Sequence, residues 1–190
     1  MIGNDIIDLQ QAGIESNWQR KGYLEKLFNN DELLLIKSHS NPKIMVWLLW
    51  SIKEASYKIA NRSINKRFYA PLKFTCKRLE IMDENVISVV HFNKCNYLCQ
   101  SIILPTYIHS VAQKEKNYLN NLPPVISRIY NDEFPIDPAT YGLKCEEGIV
   151  KDNKGIPWIE NTSLSQRRPI SISHHGRFFA IAFYSEAFTF

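Results

Sequence analysis

Three groups of residues in this chain have types and spacing suited to chemistry. They are Asp5 with Asp8 near the start, Glu54 with Lys58 in the middle, and Ser171-Ile172-Ser173-His174-His175-Gly176-Arg177 near the end. Carboxylates from two separate elements can share one Mg²⁺, a cation that keeps several waters and completes its shell with substrate phosphates. A histidine, an arginine and a glycine-permitted turn at a strand end suit phosphate oxygens. The chemistry indicated is group transfer involving a pyrophosphate. Each group alone has an ordinary reading: a D-x-x-D caps a turn, a Glu-to-Lys i,i+4 pair sits on an exposed helix, and a Ser-His dipeptide arises by chance. The chemical reading therefore requires the groups to meet in space.

The elements that must bring them together can be read from hydrophobic patterning. Ile2 to Leu9 is apolar around two acids, as expected of a short strand whose end carries functional carboxylates. From Ser16 to Ser38 apolar residues recur at helical spacing, and an N-cap near Asn29-Asn30-Asp31 can restart the helix. Asn41-Pro42 breaks the chain, and the nearly continuous apolar run from Ile44 to Trp50 opens a core helix. On it Trp50, Glu54 and Lys58 fall at i, i+4 and i+8, on one face, while Lys53 points elsewhere. A buried carboxylate and ammonium on that face would be costly without partners or a purpose.

Beyond Asn61 the texture becomes β: Leu72 to Ile81, Val86 to Phe92, Tyr97 to Leu104 and Tyr107 to Ala112, separated by polar turns at Asp83-Glu84-Asn85 and Asn93-Lys94. A charged patch from Gln113 to Asn121, ending at Leu122-Pro123-Pro124, marks the internal boundary. After it a short helix is expected at Val125 to Tyr130. Strands follow at Tyr141 to Lys144, Gly148 to Lys151, Ile156 to Ile159, Ile170 to His174 and Phe178 to Tyr184. The chain reads twice as helix followed by antiparallel sheet, which implies an α+β fold: residues 1–113 one lobe, 114–190 a smaller one, together a compact unit.

With 190 residues, 45% of them hydrophobic, the chain can bury one full core or two small packed ones. A net charge of +4 is mild, suits an acidic partner and argues against nucleic acid. The acidic start and the lack of a membrane-length apolar stretch imply a cytoplasmic protein without a membrane partner. The four cysteines form no C-x-x-C pair and read as reduced thiols. His91, Cys95 and Cys99 have helical spacing that could hold zinc, but their surroundings read as strands.

Gly3-Asn4-Asp5-Ile6-Ile7-Asp8, Trp50-Ser51-Ile52-Lys53-Glu54-Ala55-Ser56-Tyr57-Lys58 and Ile172-Ser173-His174-His175-Gly176-Arg177-Phe178 together resemble the 4′-phosphopantetheinyl transferase superfamily. The W-x-x-K-E-x-x-x-K helix is a full and specific match; the G-x-D strand end and the S-H segment are short and support it by company. The resemblance implies transfer of the phosphopantetheine arm of coenzyme A onto a serine of an acyl or peptidyl carrier protein, as in fatty acid biosynthesis, with release of 3′,5′-ADP. It implies that Asp5 and Glu54 bind Mg²⁺ and that Lys58 positions phosphate and relays a proton. Ser173, His174 and Arg177 would contact the coenzyme A phosphates.

Residues 3–113 are similar to the second half of the larger, two-lobed surfactin-synthetase-activating type, and residues from about 124 to 184 to the end of its first half. Two pseudo-symmetric lobes in permuted order, forming a monomer, are therefore expected. The short holo-acyl-carrier-protein synthase type, a trimer, is the alternative. Two departures stand out. The two-lobed type has a second acid two positions after the G-x-D aspartate, where this chain has Ile7, with Asp8 one further on. Much of the basic lobe that grips the nucleotide is also absent, so Arg167, Arg168, Lys73 or Arg67 would have to substitute. The whole reading requires Asp5, Glu54 and His174 to line one cleft.

Overall fold

The computed structural model describes residues 1–64, 68, 70–115, 125–131, 143–144 and 146–185. The chain is α+β, with two five-stranded antiparallel sheets. The first sheet has the order β1-β5-β4-β3-β2, formed by β1 (Ile2–Asp8), β2 (Thr75–Met82), β3 (Asn85–Phe92), β4 (Cys95–Ile103) and β5 (Tyr107–Lys114). The second has the order β6-β10-β9-β8-β7, formed by β6 (Val125–Asn131), β7 (Glu147–Lys151), β8 (Pro157–Asn161), β9 (Gln166–His175) and β10 (Phe178–Tyr184). Among the described residues three α-helices, α1 (Leu9–Glu15), α2 (Asn30–Ser38) and α3 (Pro42–Ile64), all precede β2. Among the described residues no helix is long and apolar enough to cross a membrane.

The long helix α3 organises the first sheet. Pro42 starts it, where a missing N–H costs nothing, and the Asn41 side chain accepts from Ile44 N. Its face of Leu48, Leu49, Ile52, Ala55 and Ile59 is fully buried against Val86, Val90, Phe92, Cys99 and Ile108 of the sheet. Each large aliphatic side chain buried there contributes about 1.5–3 kcal/mol. The strict buried-and-open alternation along β3 is the mark of a sheet with one face on this core. Positive φ at Asp83 and Asn93 places the β2–β3 and β3–β4 hairpin turns at the expected polar residues.

Strand β1 sits where the two sheets meet. It pairs with β5 on one edge. Gly3, Asp5 and Ile7 turn toward α3, and Ile2 and Ile6 turn the other way, into clusters with Ala182 and Tyr184 and with Phe178 and Ala180 of β10. Its second edge is covered by β9: Asn4 N donates to Ser171 Oγ at 2.8 Å and Asp8 N to His175 Nδ1 at 2.9 Å. Side chains thus satisfy backbone donors that an open edge strand would leave to solvent. Gly3 is required here, because a Cβ would lie 2.0 Å from the Ala55 carbonyl oxygen. The missing side chain lets α3 press onto β1 at the level of Asp5.

Some expected elements differ. Val125 to Tyr130 is strand, not helix: it forms β6 and pairs along β10. The helical region expected from Ser16 to Ser38 begins earlier, as α1, because Asp8 caps Gln10 and Gln11. The chain then runs through turns to Asn29, whose capping box with Glu32 starts α2 at the expected place. Leu143 and Lys144 are not strand. Arg67, Tyr141 and most of the expected boundary up to Pro124 lie outside the described residues.

Candidate active site

Asp5 points from β1 at the last turns of α3. Burial, opposed by Lys58 and reinforced by the nearby Glu54 charge, pushes its carboxyl up to about 7. One carboxylate oxygen lies 3.4 Å from Lys58 Nζ; the other, Oδ2, is buried without a hydrogen-bond partner among the described residues. A buried carboxylate oxygen left unpaired is costly unless something completes it. Lys58 is half-buried and donates chiefly to the Asn4 carbonyl at 2.6 Å, with longer contacts to Asp5 Oδ1 at 3.4 Å and the Ile172 carbonyl of β9 at 3.5 Å. It therefore spans both sheets, and Asn4 is a contributor that sequence spacing could not single out.

Glu54 stands one turn before Lys58. Its carboxyl is pushed up by burial, with Lys58 opposing. It makes no hydrogen bond or ion pair among the described residues, and it lines a cavity of about 480 Å³ walled by Trp50, Tyr57, Phe68, Pro71 and Phe74. Stacked rings of Phe68, Phe74 and Phe92 stiffen that wall. Glu54 thus sets one hard oxygen donor at an apolar cavity, and Asp5, near enough for the Glu54 charge to act on it, supplies a second, with one buried oxygen unpartnered among the described residues. Such a pair fits Mg²⁺, which takes one or two protein carboxylates and leaves the remaining shell to water and phosphate. Among the described residues no group of three or more His, Cys, Asp or Glu side chains is arranged for a metal. Ile7 packs in the core, so it leaves this pair without a third acid.

The family model of the 4′-phosphopantetheinyl transferase superfamily matches residues 1–119. The chain belongs to that superfamily. A search of curated proteins returned no match. The match to the superfamily takes in β1, α3 and the first sheet, the elements that carry Asp5, Glu54 and Lys58; β9 lies beyond it.

The S-H segment is placed differently from expectation. Along β9, Ser171 and His175 face β1, so Ser173 shares their side of the strand. Ser173 is buried and its hydroxyl has no partner among the described residues. Ile172 packs into the second core with Ile170, Phe179 and Ile181, on the opposite side, and His174 follows that parity. His174 is exposed, and its ring makes no hydrogen bond or ion pair among the described residues. The single cleft of Asp5, Glu54 and His174 that the sequence reading required is not formed: the two carboxylates lie near enough for the charge of one to act on the other, His174 is on the other side of β9, and only the carboxylate pair with Lys58 supports a functional reading.

Arg177 is also redirected. Its Nε and Nη2 donate to the two oxygens of Asp8 at 2.9 and 3.0 Å, and its backbone N donates to Oδ2 at 3.1 Å. These bonds, with the cap to α1, hold the Asp8 carboxyl far below its ordinary value. Gly176, at φ +55 with Asp8 Oδ2 only 2.5 Å from where a Cβ would sit, lets the turn close over that carboxylate. Asp8 and Arg177 form a clamp between the sheets. Arg168, considered for the nucleotide, is buried on Glu147 and the Tyr184 carbonyl. Arg167 is exposed on Glu160.

Proposed function

We propose that this protein transfers the 4′-phosphopantetheine group of coenzyme A to a serine of an apo acyl or peptidyl carrier protein, in a Mg²⁺-dependent reaction that releases 3′,5′-ADP. The observation that carries the reading is the meeting of Asp5, with its unpartnered Oδ2, and Glu54 beside Lys58 on the face of α3. Asp5 and Glu54 would hold the Mg²⁺, which when bound offsets the negative charge of the pyrophosphate. In the transfer the serine oxygen bonds to the phosphorus bearing pantetheine, and the bond from that phosphorus to the bridging oxygen breaks. Glu54 takes the serine proton. Lys58, fixed by the Asn4 carbonyl, presents its charge to the departing 3′,5′-ADP. The cavity beside Glu54 has the apolar walls to take the uncharged pantetheine arm. Most of the acceleration comes from positioning and electrostatics. The net charge of +4 suits an acidic carrier, and the reading places the protein in the cytoplasm as a monomer.

The absence of a third acid at Ile7 favours a second reading, a module of the same fold that binds coenzyme A or a carrier without transfer. Incubating the protein with an apo carrier, labelled coenzyme A and Mg²⁺ separates the two. Label on the carrier serine, lost in Glu54→Gln, supports the transferase. A coenzyme A-dependent thermal shift without labelling supports the binding module.

A further inference from the structure

Lys53 lies beside Glu54 in the W-x-x-K-E-x-x-x-K helix, yet its side chain turns away from Lys58 and Asp5. Lys53 is 2% exposed, and its ammonium donates to Glu32 Oε2 at 2.6 Å, the Leu27 carbonyl at 2.8 Å and the Pro71 carbonyl at 3.3 Å. An ammonium has three donors, and all three are used. Glu32, fully buried, is equally committed: Oε2 also accepts from Asn29 N, and Oε1 from Cys76 N at 2.9 Å. This hub ties together the start of α2, the turn at Pro71–Lys73 and the start of β2. Pro71 and Phe74, which bracket that turn, are walls of the cavity next to Glu54.

We propose that Lys53 is a positioning residue that, through Glu32, holds the Pro71–Phe74 wall of the cavity and so sets its fit for the uncharged arm of the ligand. It does not bind phosphate. This rests on the assignment of that cavity to the pantetheine arm. The hub is built to resist adjustment, because a buried ion pair with every donor and acceptor matched has one geometry. Moving the Pro71 turn would unpair Lys53, and moving the start of β2 would unpair Glu32. Lys53 borders the cavity too, but its ammonium is committed to the hub, so the wall is fixed by groups that need not touch the ligand's phosphates.

The test compares coenzyme A with 3′,5′-ADP, which has the nucleotide but no arm, by titration calorimetry with Mg²⁺. The variants are Lys53→Met and the charge-balanced Glu32→Gln/Lys53→Met, the second guarding against loss of fold from an unpaired Glu32. Hydrogen exchange of the Lys73, Phe74 and Cys76 amides is followed in parallel. The expected result is coenzyme A affinity about tenfold weaker in both variants, 3′,5′-ADP affinity within about twofold of wild type, and faster exchange at those amides. Equal weakening for both ligands, or unchanged coenzyme A affinity, would overturn the proposal. A wild-type protein that binds neither ligand overturns the proposed function instead. In that case unchanged exchange at those amides in the double variant also refutes the wall-holding role.

Discussion

Two lysines five positions apart on one helix each face a carboxylate from another element, and they end in opposite states. Lys53 and Glu32 are sealed, short at 2.6 Å and matched donor for acceptor. Lys58 and Asp5 are loose at 3.4 Å, Asp5 buried and Lys58 about a quarter exposed, with one carboxylate oxygen unpartnered among the described residues. Had both pairs been structural, both would have closed. A chain that can satisfy one buried pair completely and leaves its neighbour incomplete is keeping the second for something absent from the folded chain itself. The proposed function places the chemistry where the bonding is unfinished.

The sharpest way to break this contrast is to alter the open pair. Asp5→Asn and Glu54→Gln are expected to lower carrier loading by about a thousandfold or more, the scale of removing a charged group from a phosphoryl-transfer site. Their melting temperatures should not fall, because each removes a carboxylate whose charge burial disfavours. Loading assays paired with calorimetric melts check both halves. A Glu54→Gln variant with near-normal loading would put the chemistry elsewhere.

The closed pair should respond in reverse. Lys53→Met leaves Glu32 buried and unpaired and is expected to cost about 3 kcal/mol in urea unfolding. Glu32→Gln/Lys53→Met should recover much of that. If the single variant is as stable as wild type, the hub is not a buried ion pair of consequence, and the comparison loses its structural arm.

The sequence reached the open pair more easily than the closed one. Asp5, Glu54 and Lys58 are charged residues in otherwise apolar elements, so spacing alone sets Glu54 and Lys58 on one helix face. Glu32 lies 21 residues before Lys53, behind a turn, and nothing local marks it as the partner; only the direction of Lys53 away from the site could be read. The segment Val125 to Tyr130 has apolar positions compatible with a helical turn or a strand, and pairing with β10 decides it. The S-H segment was found as a strand end, but its parity was not legible. Which of two adjacent residues faces β1 depends on register against another strand, and a shift of one exchanges them. Arg177 bonds a buried acid, Asp8, through a turn whose closure depends on Gly176.

The Asp8 clamp offers a pH-dependent version of the comparison. Asp8 is held ionised by Arg177 and by backbone donors, so its folded value lies below the ordinary 3.9 or so of a free aspartate. Such a group adds stability above its unfolded value and loses it as pH falls toward its folded one. Wild type should exceed Asp8→Asn by about 2 kcal/mol at pH 7, a gap that narrows below about pH 4. Unfolding series in urea at stepped pH check it, and a gap unchanged down to pH 3 would mean Arg177 does not stabilise the charge. Loading should survive this substitution far better than Asp5→Asn, since Asp8 has no unfinished bonding.

The smallest effect is expected where the family resemblance pointed to a phosphate contact. His174 is exposed on the side of β9 away from β1, so His174→Ala should change the Michaelis constant for coenzyme A by less than about twofold. Ser173 faces β1, next in sequence to the Ile172 carbonyl that Lys58 reaches, and carries a buried hydroxyl with no partner among the described residues. By the argument that separates Lys58 from Lys53, Ser173 is the residue with bonding to spare. Ser173→Ala should raise that constant by about fivefold while leaving stability unchanged, because it removes a hydroxyl that bonds nothing among the described residues. The reverse ranking, with His174→Ala the stronger, would place the nucleotide on the far face of the second sheet. Unfinished bonding would then no longer identify which residues of this strand meet the ligand.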